Sequence, residues 1–448
     1  PAPLVHQAWK LLIANHPHDS ICGCSIDETH NDMLPRFDQV DQIGEILKSQ
    51  SLKAIAARAD TQAPGSVQDA FAAVTVFNAS PYPQSAVVEV EVDCPAGKCQ
   101  LEMLDEDGAV LTSHSEPLPR RYKESNTFPV KELMGLLTGA ASEGHDSQTL
   151  VRVQLDMEAQ PPVIDAEFSS ILPADQANLE TVYPQVMGFI MSTDPSSLVH
   201  VNVWNVAASK VRFLAPEIPA VGYRTFWVRA TSTEQAAPEP NEQDDNGVLS
   251  ISNDLFEVSV EANDCSLTLV DKRDGRRFEG VNTFIDGGDR GDEYNFTPPE
   301  HDVQIKPNLL FAEKVATEVE ECLILHGTCL LPAKLAKDRA YRSEAIVDCP
   351  ISVVVTLAKD QPYIDFAVRF DNQVEDHRLE VRFPTGLNVK SARFDGHYEV
   401  VERALDLPSS DATWRELPRP EVPQRAFTDV SEGGQGMMLA NQGLPEVA

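Results

Sequence analysis

The segment His16-Pro17-His18-Asp19-Ser20-Ile21-Cys22-Gly23-Cys24-Ser25 places two imidazoles, a carboxylate and two thiols within ten residues, at a junction between two helical patterns. Upstream, Val5, Trp9, Leu12 and Ile13 recur at helical spacing and predict an amphipathic helix ending near Asn15. Downstream, Ser25-Ile26-Asp27-Glu28 reads as a capping box opening a second helix. Met33, Phe37, Val40, Ile43 and Leu47 carry that helix toward Ala59, with a kink expected at Pro35. Imidazole is the commonest metal ligand, and a neighbouring carboxylate can orient a ring or bind substrate. The ordinary alternative is that His16 and His18 are hydrogen-bonded and that both cysteines are small buried hydrophobes.

Beyond residue 60 the hydrophobic period changes from 3.6 to 2. The stretch 61–68 is a linker by composition, and Val74–Phe77, Val88–Val92, Val151–Leu155, Val199–Trp204 and Thr225–Val228 read as half-buried strands. Residues 231–247 are polar, acidic and proline-bearing, which predicts an exposed loop or boundary. Strands resume at 253–258, 267–272, 351–357 and 363–370. The predicted fold class is therefore α+β multidomain. A helical segment at 1–62 forms part of a helix bundle. Two mainly antiparallel, β-sandwich-type domains follow at 72–230 and 248–448.

Charge and length narrow the possible roles. The 36 Lys and Arg against 70 Asp and Glu give a net charge of -34, which repels nucleic acid and anionic membrane surfaces. No apolar run approaches the roughly 20 residues of a membrane span, so neither a membrane span nor a signal peptide before the first helix is expected. Eight cysteines in 448 residues make no disulfide framework. Reduced thiols and a cytoplasmic location are expected, with Cys22-Gly23-Cys24 too short to bridge itself. The chain opens at Pro1 inside a helical pattern, so the expectation is a piece of a longer protein.

The string His18-Asp19-x-Ile21-x-Gly23-x-Ser25 resembles a motif of glycoside hydrolase family 38, the α-mannosidases, and the run through Asp27-Glu28 resembles its bacterial members. Further resemblance lies at Phe77-Asn78, 218–223, 253–258, 267–272, 371–386 and 441–446, and at Gly291-Asp292-Glu293-Tyr294-Asn295-Phe296-Thr297-Pro298, similar to bacterial mannosylglycerate hydrolases. What this implies is a retaining, zinc-dependent enzyme acting on mannose-containing glycans or mannosylglycerate. His18 would be one of four zinc ligands and Asp19 a contact to the sugar. Tyr294, and less directly Asp292, would also bind substrate. No catalytic residue is expected in this chain, because the family's nucleophile and remaining zinc ligands lie in an N-terminal α/β domain that nothing here resembles. The fragment alone is thus expected to be inactive and metal-free.

Three alternatives stand beside this. The chain could be a non-catalytic carbohydrate-binding or scaffolding β-sandwich protein. It could be a metalloprotein using His16, His18, Cys22 and Cys24, a donor set that suits zinc. The Asp376-His377-Arg378 run could be a site, although such a run at a strand start reads as a solvated, ion-paired edge. A homo-oligomer is expected, since large β-rich bodies attached to enzymes often carry subunit interfaces.

Overall fold

In the computed structural model the described residues are 2–95, 99–143, 148–232, 248–260, 263–292, 295–411, 413–415 and 417–448; for helix residues 134, 137, 138 and 140–143 only the backbone is described. The chain divides into two units. The first is Pro1–Pro240 with Val315–Glu321 and Leu357–Ile364, and the second is Asn241–Lys314, Cys322–Thr356 and Asp365–Ala448. Most regular structure is β, as the change of period at residue 60 requires. The boundary loop read at 231–247 lies, beyond Ser232, outside the described residues.

Unit 1 opens with three helices, α1 (Ala2–Ala14), α2 (His18–Ile21) and α3 (Asp27–Ala56). The α1 helix packs along α3, yet no residue of α1 is buried and Met33 alone is buried in α3. Trp9 and Ile13 of the apolar stripe stay exposed. The α3 helix runs on through Pro35. The expected capping box does not form: Ile26 occupies the cap position without a side-chain bond, and Ser25 Oγ lies 3.3 Å from Ser20 Oγ instead. A cap hydroxyl must reach amides two or three residues on, and this one already has a partner in the preceding turn.

Two three-stranded sheets follow, one ordered Ala70–Asn78, Gly222–Ala230, Leu101–Leu104 and the other Gln84–Asp93, Ala208–Ile218, Ser113–Leu118. Both contribute to one core around Val92, Met103, Val211, Phe213, Phe226 and Val228. Phe213 and Phe226 meet edge to face, with ring centroids 5.2 Å apart, the favoured geometry for an aromatic pair. This is a sandwich built by alternation: Val211, Phe213 and Ala215 point inward from one strand while Lys210, Arg212 and Leu214 alternate outward.

The next part of unit 1 departs from the sandwich expectation. A four-stranded sheet ordered Arg121–Pro129, Leu198–Asn205, Val163–Ser169, Thr149–Asp156 packs against helices α4 (Val130–Glu143) and α5 (Gln176–Ser192). Strands Val163–Ser169 and Leu198–Asn205 are parallel. Parallel neighbours need a crossover, normally a helix, and α5 supplies it. Val130, Leu133, Val153, Ile164, Phe168, Val186, Phe189 and Val199 form the core between helices and sheet.

Unit 2 is all β among its described residues. A four-stranded antiparallel meander covers Ser250–Val281, and a second sheet orders Asn308–Ala316, Glu320–Pro332, Ile346–Ala358 and Asp365–Phe370. Thr283–Gly288 pairs with His377–Arg382 in a two-stranded ribbon, register Gly288 to His377. A further four-stranded sheet spans Ser391–Ala440. Ile251, Val258, Leu267, Phe284, Leu323, Leu325, Val353 and Val355 are fully buried.

Candidate active site

The His18 turn is built by two devices the sequence carries openly. The first is Asn15, wholly buried at the end of α1. Its Nδ2 donates to the Met33 carbonyl at 3.0 Å, and Arg36 Nη1 donates to its Oδ1 at 3.1 Å. A buried amide bonded at both ends clamps α1 to α3, so residues 16–26 must close the hairpin. The second is Gly23, at φ +85°. The Gly23 N–H donates to Ser20 O and the Cys24 N–H to Asp19 O, the paired bonds of a Schellman ending for which a left-handed glycine is the usual residue. The short α2 helix therefore stops after one turn and folds Cys24 back beside Asp19.

The side chains form a connected set. His18 Nε2 lies 2.8 Å from Asp19 Oδ1, with 93% and 62% of the two side chains exposed. Cys24 Sγ donates to the same Oδ1 at 3.7 Å, and Cys22 Sγ lies 3.2 Å from Cys24 Sγ. Asp19 thus takes both contacts on one oxygen. The structure brings His18, Asp19, Cys22 and Cys24 together, while the His16 side chain takes no part in this set among the described residues. The four-ligand metal alternative does not assemble: among the described residues no three His, Cys, Asp or Glu side chains converge as a metal-binding group. With imidazole pointed at carboxylate and thiol at thiol, the donors face each other rather than a shared centre.

In the second predicted stretch, the described residues 289–292 and 295–299 are tied down by carboxylates of their own. Asp289 Oδ1 accepts from the amides of Gly291 (2.8 Å) and Thr297 (3.0 Å), and Arg290 N–H donates to Thr297 O. Asp292, exposed, accepts from the Asn295 amide at 3.0 Å, so one of its oxygens closes the turn. Gly291 is required by space: a Cβ there would sit 1.9 Å from Asn295 O. Phe296 is held by Arg378, whose guanidinium carbon lies 4.1 Å from the ring centroid, and by Arg419 donating to its carbonyl. Tyr294 lies outside the described residues.

At the base of this loop the reading of Asp376-His377-Arg378 as a solvated edge is overturned. The His377 side chain is only 8% exposed, with Nδ1 2.5 Å from Oδ2 of the fully buried Asp286. Its Nε2 donates to Asn372 Oδ1 at 3.1 Å. Arg342, 4% exposed, binds the other Asp286 oxygen at 2.5 Å. Arg378 is paired with Glu380 (2.7 Å) and Glu421 (2.8 Å). The cause is register. Gly288 pairs with His377, so Asp286, two residues back on the same face, is its diagonal neighbour under the loop. Asp289 N–H to Asp376 O, at 2.9 Å, joins ribbon to loop. Sequence reasoning missed Asp286 and Arg342, and nothing local to either signals the partnership.

Residues 251–445 match the model of the glycosyl hydrolases family 38 C-terminal domain. Those residues are similar to a family 38 C-terminal domain. The chain's similarity to family 38 proteins extends beyond them. A protein of Halalkalibacterium halodurans described as "Putative mannosylglycerate hydrolase" is 23% identical over 98% of this chain and 44% of its own length. The crystal structure of an alpha-mannosidase from Enterococcus faecalis V583 superposes with TM-score 0.67, 23% identity, and coverage of 100% of this chain and 45% of that one. That of a protein in glycosyl hydrolase family 38 from Enterococcus faecalis gives TM-score 0.65 at 22% identity, covering 100% and 47%. The chain thus shares its fold with these structures, and it spans under half the length of these relatives. Among the described residues no helix is long and apolar enough to cross a membrane.

Proposed function

We propose that this chain is the helical and β-rich part of a glycoside hydrolase that cleaves α-mannosides, either mannose oligosaccharides or mannosylglycerate. The observation that carries the reading is the exposed His18-Asp19 pair, held out on a one-turn helix between a clamped hairpin and a glycine ending. Cores do not need such a pair; ligands do.

Donor chemistry bears on zinc. Imidazole nitrogen and carboxylate oxygen are both suitable ligands, but a closed zinc site takes four and an open catalytic one at least three. The His18 turn supplies fewer, so His18 acts as one ligand of a set completed by residues outside this chain. When bound there, zinc acts as a Lewis acid that fixes sugar hydroxyls. The roles of the chain's own groups follow from their positions. His18 offers one ring nitrogen to solvent while the other faces Asp19. Asp19 uses Oδ1 for His18 and Cys24, leaving Oδ2 to accept a hydrogen bond from a sugar hydroxyl. Tyr294 and Asp292 are proposed substrate contacts, and the bonds among residues 289–292 and 295–297 hold the backbone at Asp292 in advance. A retaining reaction needs two carboxyl groups roughly 5–5.5 Å apart. In this reading they belong to the relatives' other half.

The test is metal content by plasma mass spectrometry, on this chain and on a polypeptide extended N-terminally to the length of its relatives. Zinc near one equivalent in the long form only, lost together with hydrolysis of an aryl α-mannoside in His18→Ala, is the expected result. Hydrolysis by the 448-residue chain alone, abolished by His18→Ala, would overturn the split of the site. Full zinc and activity in the long His18→Ala protein would remove His18 from it.

A further inference from the structure

The spacing of Cys22-Gly23-Cys24 predicts a pair too short to bridge itself, but the fold corrects that reading by bringing the two sulfurs face to face. Cys22 Sγ and Cys24 Sγ lie 3.2 Å apart, so a bond of about 2.05 Å needs the sulfurs to close by roughly 1 Å. Gly23 makes this possible. Its left-handed backbone turns the chain back on itself, and the space beside its Cα is open, with nothing within 4 Å of where a Cβ would stand. Cys22 is exposed and Cys24 half-buried.

Four of the other thiols are in a different condition, while Cys99 and Cys322 are half-buried like Cys24. Cys94, Cys265, Cys329 and Cys349 are buried. Burial, with the charge of Asp264 adding to it, pushes Cys265 up to about 11; burial and the nearby Asp286 push Cys329 to about 12. Since the thiolate is the attacking species in disulfide exchange, the Cys265 and Cys329 sulfurs are both shielded and poorly ionised.

We propose that Cys22 and Cys24 form an oxidisable dithiol, a modification site at which a small disulfide of the glutathione type closes an intrachain disulfide across Gly23. The exposed Cys22 sulfur attacks one sulfur of the small disulfide, forming a mixed disulfide and releasing the first small thiol. Cys24 sulfur then attacks the Cys22 sulfur, breaking the mixed disulfide and releasing the second. Two protein thiols are oxidised, one small disulfide is reduced, and both protons end on the two thiols released. Closure removes the S–H that Cys24 donates to Asp19 Oδ1. The carboxylate then keeps His18 as its side-chain partner, so the redox state of the pair changes the surroundings of the group proposed to bind the sugar. The dithiol itself does not rest on the α-mannoside reading; its effect on turnover does.

Peptide mass spectrometry tests it on the 448-residue chain. The protein is equilibrated with oxidised glutathione, quenched with acid, alkylated with iodoacetamide in denaturant and digested with trypsin. The peptide Leu11–Arg36 contains Cys22 and Cys24 and no other cysteine. The expected peptide is lighter by two hydrogens than the dithiol and carries no label, while the peptides of Cys94, Cys265, Cys329 and Cys349 keep theirs. Cys24→Ser should stop at the first step, with one glutathione on Cys22. Two alkyl labels on the wild-type peptide, or glutathione retained on Cys22 with Cys24 alkylated, would overturn the proposal. Neither readout involves glycosidase activity, so failure of the dithiol and failure of the mannosidase reading are separate results.

Discussion

Two histidine–aspartate pairs stand among the described residues, and they differ in nearly every physical respect. His18 and Asp19 stand in solvent at 93% and 62% exposure, adjacent in sequence, and among the described residues the side-chain contacts of Asp19 fall on Oδ1. His377 and Asp286 are 8% and 0% exposed and 91 residues apart, and Arg342 and Asn372 occupy the remaining positions around them. An exposed pair with open valence can take a ligand at little cost to the fold. A buried pair with every position filled holds a ribbon to a loop and has nothing left to offer. Residue type alone does not separate a site from a strut; satisfied valence and burial do.

The strongest way to break this contrast is Asp286→Asn. It leaves the Arg342 guanidinium and the His377 ring facing a neutral amide in a buried position, where an uncompensated charge costs about 3–5 kcal/mol. Urea denaturation at neutral pH should show a loss of that order. A loss under about 1 kcal/mol would mean that water reaches the network and that the pair is no more structural than the one at His18.

The two pairs were not equally legible. The junction at His18 could be read because its determinants are local: the apolar spacing that ends near Asn15 matches the end of α1 at Ala14. Strands alternating at period 2 were legible for the same reason, as at Val88–Val92 and Val151–Leu155. The capping box failed because Ser20, a buried neighbour from the previous turn, competes for the Ser25 hydroxyl. Helix α5 escaped notice because Pro184 sits inside it, although its start was signalled by Asp175 accepting from the Asn178 amide at 3.1 Å. The Asp286 network depends on which strand lies beside which, across separations of 56 and 91 residues. Local composition carries no trace of such a pairing, and Asp-His-Arg at a strand start looked like surface until the ribbon register put it under a loop.

A smaller effect sharpens the contrast through pH. Burial works to raise the Glu421 carboxyl, but the hydrogen bond and charge of Arg378 more than offset it and hold the group below its ordinary value. A lowered folded-state value means stability that is fully present above the ordinary glutamate range near 4.3 and is lost as pH falls through the folded-state value. Glu421→Gln should therefore cost about 1–2 kcal/mol at pH 7. The gap from wild type should close as the pH is lowered below about 4. Denaturation midpoints at pH 7, 5 and 3.5 measure it, and a gap that stays constant with pH would show that packing, not ionisation, accounts for the difference.

The smallest expected effect on stability belongs to the other pair. His18→Ala removes an imidazole that touches Asp19 and little else, at a position where substitutions ordinarily change stability by within about 0.5 kcal/mol. The hairpin beneath it should not notice, because the bonds of Asn15 to Met33 and Arg36 that clamp α1 to α3 do not involve His18. Amide hydrogen exchange across α1 and α3 checks this directly: unchanged protection in His18→Ala is the expected outcome. Lost protection there would make His18 a strut in its own right, and the exposed pair would then have a structural reason to exist that competes with a ligand. A protein unchanged in stability but stripped of metal in its long form would instead place the cost of losing His18 entirely in function, the opposite of what Asp286 is expected to show.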